Sequence, residues 1–159
     1  MTVLAHDPLW PRAGDWSAWA PGMQADAVVV GIPTWRTALS PGQAHTTPAA
    51  IRDALRYYSA DALTRPDGSP LTVLDAGDVP EPDAGDVPEP DGVGEAAATA
   101  RVAELAGTGP LVIVLGGDNA ATVPAALGSW GAAISTAGLV TLDAHHDLRD
   151  GVTNGSPVR

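Results

Sequence analysis

The sequence predicts an α/β fold in three layers (α-β-α), with helices on both faces of a mostly parallel sheet. Three observations carry this. Short apolar runs at residues 25–30, 111–115 and 139–142 are nearly or wholly free of charge, the pattern of strands buried within a parallel sheet. Helical patterns at residues 47–59, 95–106 and about 120–127 alternate with them, and such alternation signals a layered α/β domain. Each apolar run also empties into glycine or a polar cluster: Gly31-Ile-Pro33, Gly116-Gly-Asp-Asn119 and Asp143-Ala-His-His-Asp147. In open α/β sheets the carboxyl ends of the strands face the ligand.

Length and charge bound the rest. The chain of 159 residues suffices for one domain with a sizeable core. Cysteine is absent, so a metal must be held by His, Asp, Glu or Asn. The formal net charge is −11 and the eight basic residues are all arginine. Nucleic acid and anionic membranes need clustered cations, so neither is an expected partner. The opening residues, with Trp10, Trp16 and Trp19, have no long apolar run of a signal peptide or a span. The expected compartment is the cytoplasm, and the expected partner is a small-molecule substrate.

Taken in order, residues 1–24 show no periodicity and predict irregular structure that packs its Trp rings on a neighbouring surface. Residues 25–30 predict the first strand. In residues 47–59, Thr47 can cap, Pro48 suits a first turn, and Ile51, Leu55 and Tyr58 share a face. Arg52 and Arg56 lie one turn apart there and are expected to be solvated. A turn at Pro66-Asp-Gly68 precedes a strand at residues 71–75. Ala76-Gly-Asp-Val-Pro-Glu-Pro-Asp83 is then repeated unchanged as Ala84 to Asp91. Its prolines forbid a helix, so the second copy predicts an exposed acidic loop. It lacks the spacing of a calcium loop. Residues 95–106 are Ala-rich and predict a helix. Residues 111–115 predict a central strand buried on both faces, followed by a tight Gly-Gly turn and a short helix that includes Pro124.

The chemistry concentrates after residue 142. On an extended backbone Asp143, His145 and Asp147 point to one side. Two carboxylates and an imidazole suit a divalent ion of the Mn, Fe, Co or Zn kind. A hydrogen-bonded polar strand end accounts for the same three residues on geometry alone. His146 alternates away from that face, and His45 is expected to pack.

Together, in order, Gly31-Ile-Pro33, Pro41-Gly42 with Pro48-Ala-Ala-Ile-Arg52, Asp75-Ala-Gly-Asp78, Gly116-Gly-Asp-Asn119 and Asp143-Ala-His-His-Asp147 resemble the ureohydrolase family, which includes arginases, agmatinases and formiminoglutamases. The resemblance implies an arginase-like fold, of which residues 1–159 form the amino-terminal part. It also implies manganese, two ions in the family, with Asn119, Asp143, His145 and Asp147 as the ligands of this chain. Catalysis by Asp143, His145 and Asp147 would be exerted through hydroxide carried by the metals, attacking the trigonal carbon of an amidine and breaking a C–N bond. Arg149, which can pair with a substrate carboxylate or with Asp150, and Asn154 resemble the substrate loop of formiminoglutamases.

Two departures from the family pattern stand out. Asn119 occupies the place of a histidine, so a metal there is held more weakly. The family's later Asp-x-Asp pair has no counterpart in these residues, and its members are roughly twice this length. The expectation is a metal-dependent hydrolase of linear amidines, incomplete as this chain. The alternative is a non-catalytic remnant, or a binding or assembly module, of the same fold. The family also implies a homo-oligomer.

Overall fold

The six residues Ala27–Ile32 are all buried, and the sheet is organised around them. A computed structural model of the chain describes residues 10–35, 42–60, 63–79 and 93–143. Its elements are β1 (Ser17–Ala18), β2 (Ala27–Ile32), α1 (Thr47–Leu55), β3 (Val73–Asp78), α2 (Val93–Ala106), β4 (Leu111–Gly116) and α3 (Thr122–Trp130). Short 3₁₀ turns lie at Ala44–Thr46, Asn119–Ala121 and Gly131–Thr136. The strands run in the order β1-β3-β2-β4 with every ladder parallel. The sheet therefore has the predicted class and direction.

β2 is central because it is apolar on both faces. Val28, Val30 and Ile32 are fully buried in a cluster with Ala98, Val102 and Leu105 of α2 and Leu74 of β3. Val29, which points the other way, is 2% exposed. Burying each such side chain contributes roughly 1.5–3 kcal/mol. The connection β2–α1–β3 moves across the sheet in one direction and β3–α2–β4 in the other. Right-handed crossovers, the rule for such units, put α1 and α2 on opposite faces, in keeping with α2 packing on the Val28, Val30 and Ile32 face and Pro48 of α1 lying beside Gly31 on the other. α3 packs on α2 through Gly128, where a Cβ would lie 2.6 Å from that of Val102. Glycine lets the two helices approach there.

Several boundaries and environments differ from expectation. The first strand is shifted to Ala27–Ile32, and the strand expected at residues 71–75 runs Val73–Asp78 and takes in the start of the repeat. The second repeat copy lies outside the described residues. The first helix ends at Leu55, short of residue 59, and Tyr57 and Tyr58 are both 65% exposed. Thr47 is its first helical residue; the N-cap is Thr46, whose hydroxyl donates to the Gln43 carbonyl at 2.8 Å. Arg52 is far from solvated. It donates from Nε to Asp75 Oδ2 at 2.7 Å and from a terminal nitrogen to Asp78 Oδ1 at 2.6 Å. Its hydrogen bond to Asp75, followed by that to Asp78, raises its pKa above the ordinary arginine value. The clamp ties α1 to the end of β3.

β4 is not buried on both faces, because among the described residues it pairs with β2 alone and forms an edge. Val112 and Val114 pack against the core, while Leu111 is 67% and Ile113 39% exposed. Residues 139–142, expected as a strand, have no regular secondary structure and are exposed. Residues 17–18, expected to be irregular, pair with β3, and Trp19 behind them is buried. No helix among the described residues is long and apolar enough to cross a membrane.

Candidate metal centre

β2 and β4 run side by side and in register to Ile32 and Gly116, and beyond them their two chains cross closely. The Gly117 amide donates to the Ile32 carbonyl at 3.1 Å, and the Asp118 amide to the Thr34 carbonyl at 2.8 Å. A Cβ on Gly117 would sit 1.9 Å from the Thr34 oxygen and 3.0 Å from that of Ala44. Only glycine permits this crossing, which gives the Gly-Gly pair after β4 a steric cause. The turn is then aimed by its own polar residues. Asp118 is in extended conformation and its Oδ1 accepts from the Ala120 amide at 3.2 Å, capping the 3₁₀ turn. The Thr122 hydroxyl donates to Asn119 Oδ1 at 3.0 Å, which orients the amide oxygen.

These residues line an open groove of about 570 Å³, whose walls include Val114, Gly116, Gly117, Asp118, Asn119 and Asp143. Asn119 and Asp143 therefore line the same groove, beyond the carboxyl end of β4. His145, Asp147, Arg149 and Asn154 lie outside the described residues. Among the described residues no three His, Cys, Asp or Glu side chains gather as a metal cluster. The two that line the groove, an amide oxygen and a carboxylate, are oxygen donors of the kind divalent cations take.

Sequence reasoning missed two contributors to the groove. Asp118 was noted only as part of a motif; an Asp immediately before a helical turn is a capping signal that identifies its role. Thr122 is found only through its bond to Asn119, since a threonine opening a helix carries no functional signal. His45 packs on the Trp35 ring with centroids 5.0 Å apart. A second cavity of about 390 Å³, lined by Trp16, Thr72 and Leu74 among others, lies toward the amino end of β3. That is the opposite end from the one at which open α/β sheets bind ligands.

A family model described as "Arginase family" matches residues 25–159. No curated protein matches the chain. The solved structure of formimidoylglutamase from Bacillus subtilis subsp. subtilis str. 168 is similar with a TM-score of 0.65 at 22% identity, over 98% of this chain and 49% of that one. At that identity the likeness is one of fold. The present chain spans about half the length of that protein.

Proposed function

The chain belongs to the arginase family, and from that premise we propose that it carries part of a metal-dependent hydrolase site for the C–N bond of linear amidines. The substrate is formiminoglutamate-like, ahead of agmatine and arginine. The observation that supports this reading is that Asn119 and Asp143 line one groove beyond the carboxyl end of β4. Asn119, Asp143, His145 and Asp147 would hold manganese, with the Thr122 hydroxyl fixing the orientation of the Asn119 amide. When bound, such an ion lowers the pKa of water and stabilises negative charge developing on the attacked carbon's substituents. In net terms water adds across the C–N bond: the formimino carbon gains oxygen and the amine departs with a proton. Arg149 would pair with a substrate carboxylate through charge-assisted hydrogen bonds, and Asn154 would contact the same end. The cytoplasm and a homo-oligomer remain the proposed setting, supported by the cysteine-free, acidic sequence and by family likeness respectively.

A second reading has its own observation. Asn119, a weaker metal donor, stands where the family carries a histidine, which favours a non-catalytic binding or assembly module. Incubating the chain with Mn²⁺ and formiminoglutamate, agmatine or arginine separates the two. Formamide released from formiminoglutamate, and lost on Asp143→Asn, supports the hydrolase reading. Turnover of any of the three at the rate of a complete enzyme overturns the module reading.

A further inference from the structure

The second cavity, of about 390 Å³ at the amino end of β3, exists because β1 is short. Among the described residues β1 meets β3 at two positions, Ser17 opposite Leu74 and Ala18 opposite Asp75. The ladder does not continue upstream to Val73, which pairs with Ala27 of β2 on its other side, and the space left there is walled by Trp16 and by the segment around Leu63 and Leu71. That segment is held in place. The Leu71 amide donates to the Leu63 carbonyl at 2.8 Å, and Arg65 donates to Asp26 Oδ1 at 3.1 Å and to the Pro70 carbonyl at 2.6 Å. The cavity is therefore preformed, and its volume is that of a small-molecule site.

The lining selects the ligand. Trp16, Leu63, Leu71 and Leu74 give apolar surface, and among the described residues that line the cavity Asp15 carries the one charged side chain, a carboxylate. The chain around it has a formal net charge of −11. A field of that sign gathers cations and repels anions, and tryptophan is the aromatic ring that attracts cations most strongly. Asp15 already meets one planar cation, Arg56 at 3.2 Å, but the two side chains are 53% and 45% exposed. Such a pair is worth little in water, so a ligand cation gains the carboxylate at small cost. We infer that this cavity binds a small organic cation, an ammonium on an aromatic or short alkyl body, with the charge at Asp15 and the body against Trp16 and the leucines. The site is separate from the groove of Asn119 and Asp143, which lies at the opposite end of the sheet.

Calorimetric titration of phenethylammonium into the full chain tests this, with phenethyl alcohol as the neutral counterpart. The expected result is saturable binding of the ammonium at one site, at least about tenfold tighter than that of the alcohol, the worth of one charge-assisted hydrogen bond. Asp15→Asn removes the preference, Ala60→Phe blocks both ligands because Ala60 lines the cavity, and Asp143→Asn changes neither. Overhauser contacts from the probe ring to the Trp16 indole and the Leu71 methyls locate the ligand without any substitution. Equal affinity for the two ligands, or a preference that survives Asp15→Asn, overturns the selection by charge. Contacts to other residues, or weaker binding in Asp143→Asn, overturn the site. So does the lack of saturable binding up to about 10 mM, where a ligand of this size still registers.

Discussion

β2 and β4 are strands of the same length and much the same chemistry, Ala-Val-Val-Val-Gly-Ile against Leu-Val-Ile-Val-Leu-Gly, and they lie side by side. All six residues of β2 are buried, whereas β4 has two exposed and four half-buried. The difference comes from neighbours. β2 has a strand on each side and a helix over each face, while the described residues give β4 one strand and leave Leu111 and Ile113 uncovered. An apolar run therefore encodes the capacity to be buried, and the partners decide whether that capacity is used. The uncovered strand is also the one that carries the candidate site.

The largest effect follows from placing the same charge in both strands. Val30→Asp buries a carboxylate at a fully enclosed position, at a cost of roughly 4 kcal/mol or more, and the cooperative urea transition is lost. Ile113→Asp faces solvent and costs about 1 kcal/mol, chiefly through strand propensity. Similar losses at the two positions, followed by circular dichroism through urea titration, would break the comparison.

A smaller effect tests how the amino ends of the same strands are held. Asp26, just before β2, accepts from the Thr72 amide at 2.7 Å and from Arg65, and its own carbonyl accepts from the Leu111 amide at 2.9 Å. The Thr72 hydrogen bond is the leading cause of a pKa below the ordinary 3.8. A carboxyl with a lowered folded pKa contributes stability above its unfolded value, and that contribution is lost as pH falls through the folded one. Asp26→Asn should therefore flatten the dependence of the urea midpoint on pH between about 5 and about 2. A slope unchanged from the wild type would assign the acid sensitivity to other groups.

Much of this was legible in the sequence, and the parts that were not share a cause. Residues 27–32 announce a buried parallel strand because nothing polar interrupts them, and Gly116-Gly117 announces a tight crossing. The partner of Arg52 did not show, since helical spacing identifies a face but not the Asp75 and Asp78 carboxylates that reach it from 23 and 26 residues further on. Tyr58 fits the apolar periodicity of the first helix, yet the helix stops at Leu55 and leaves it in solvent. The edge position of β4 was hidden for a similar reason: register and strand order are long-range properties. Of the candidate site, Asn119 stands just past β4, at the end of the sheet where ligands bind, whereas Asp143 follows a run that forms no strand, so its place on the groove did not follow from strand geometry. The capping role of Asp118 was signalled by its place before a helical turn, whereas the Thr122 contact, a detail of that turn, emerged only with the structure.

The account depends most on Asn119 and Asp143 sharing a divalent ion at the open strand. Titration of Mn²⁺ into the wild type, Asp143→Asn and Asn119→His, followed by the loss of free-ion paramagnetic signal, tests it most directly. The prediction is at least about a tenfold loss of affinity for Asp143→Asn and a gain for Asn119→His, because imidazole is the stronger donor to this class of ion. Affinities that are the same in all three proteins would contradict it.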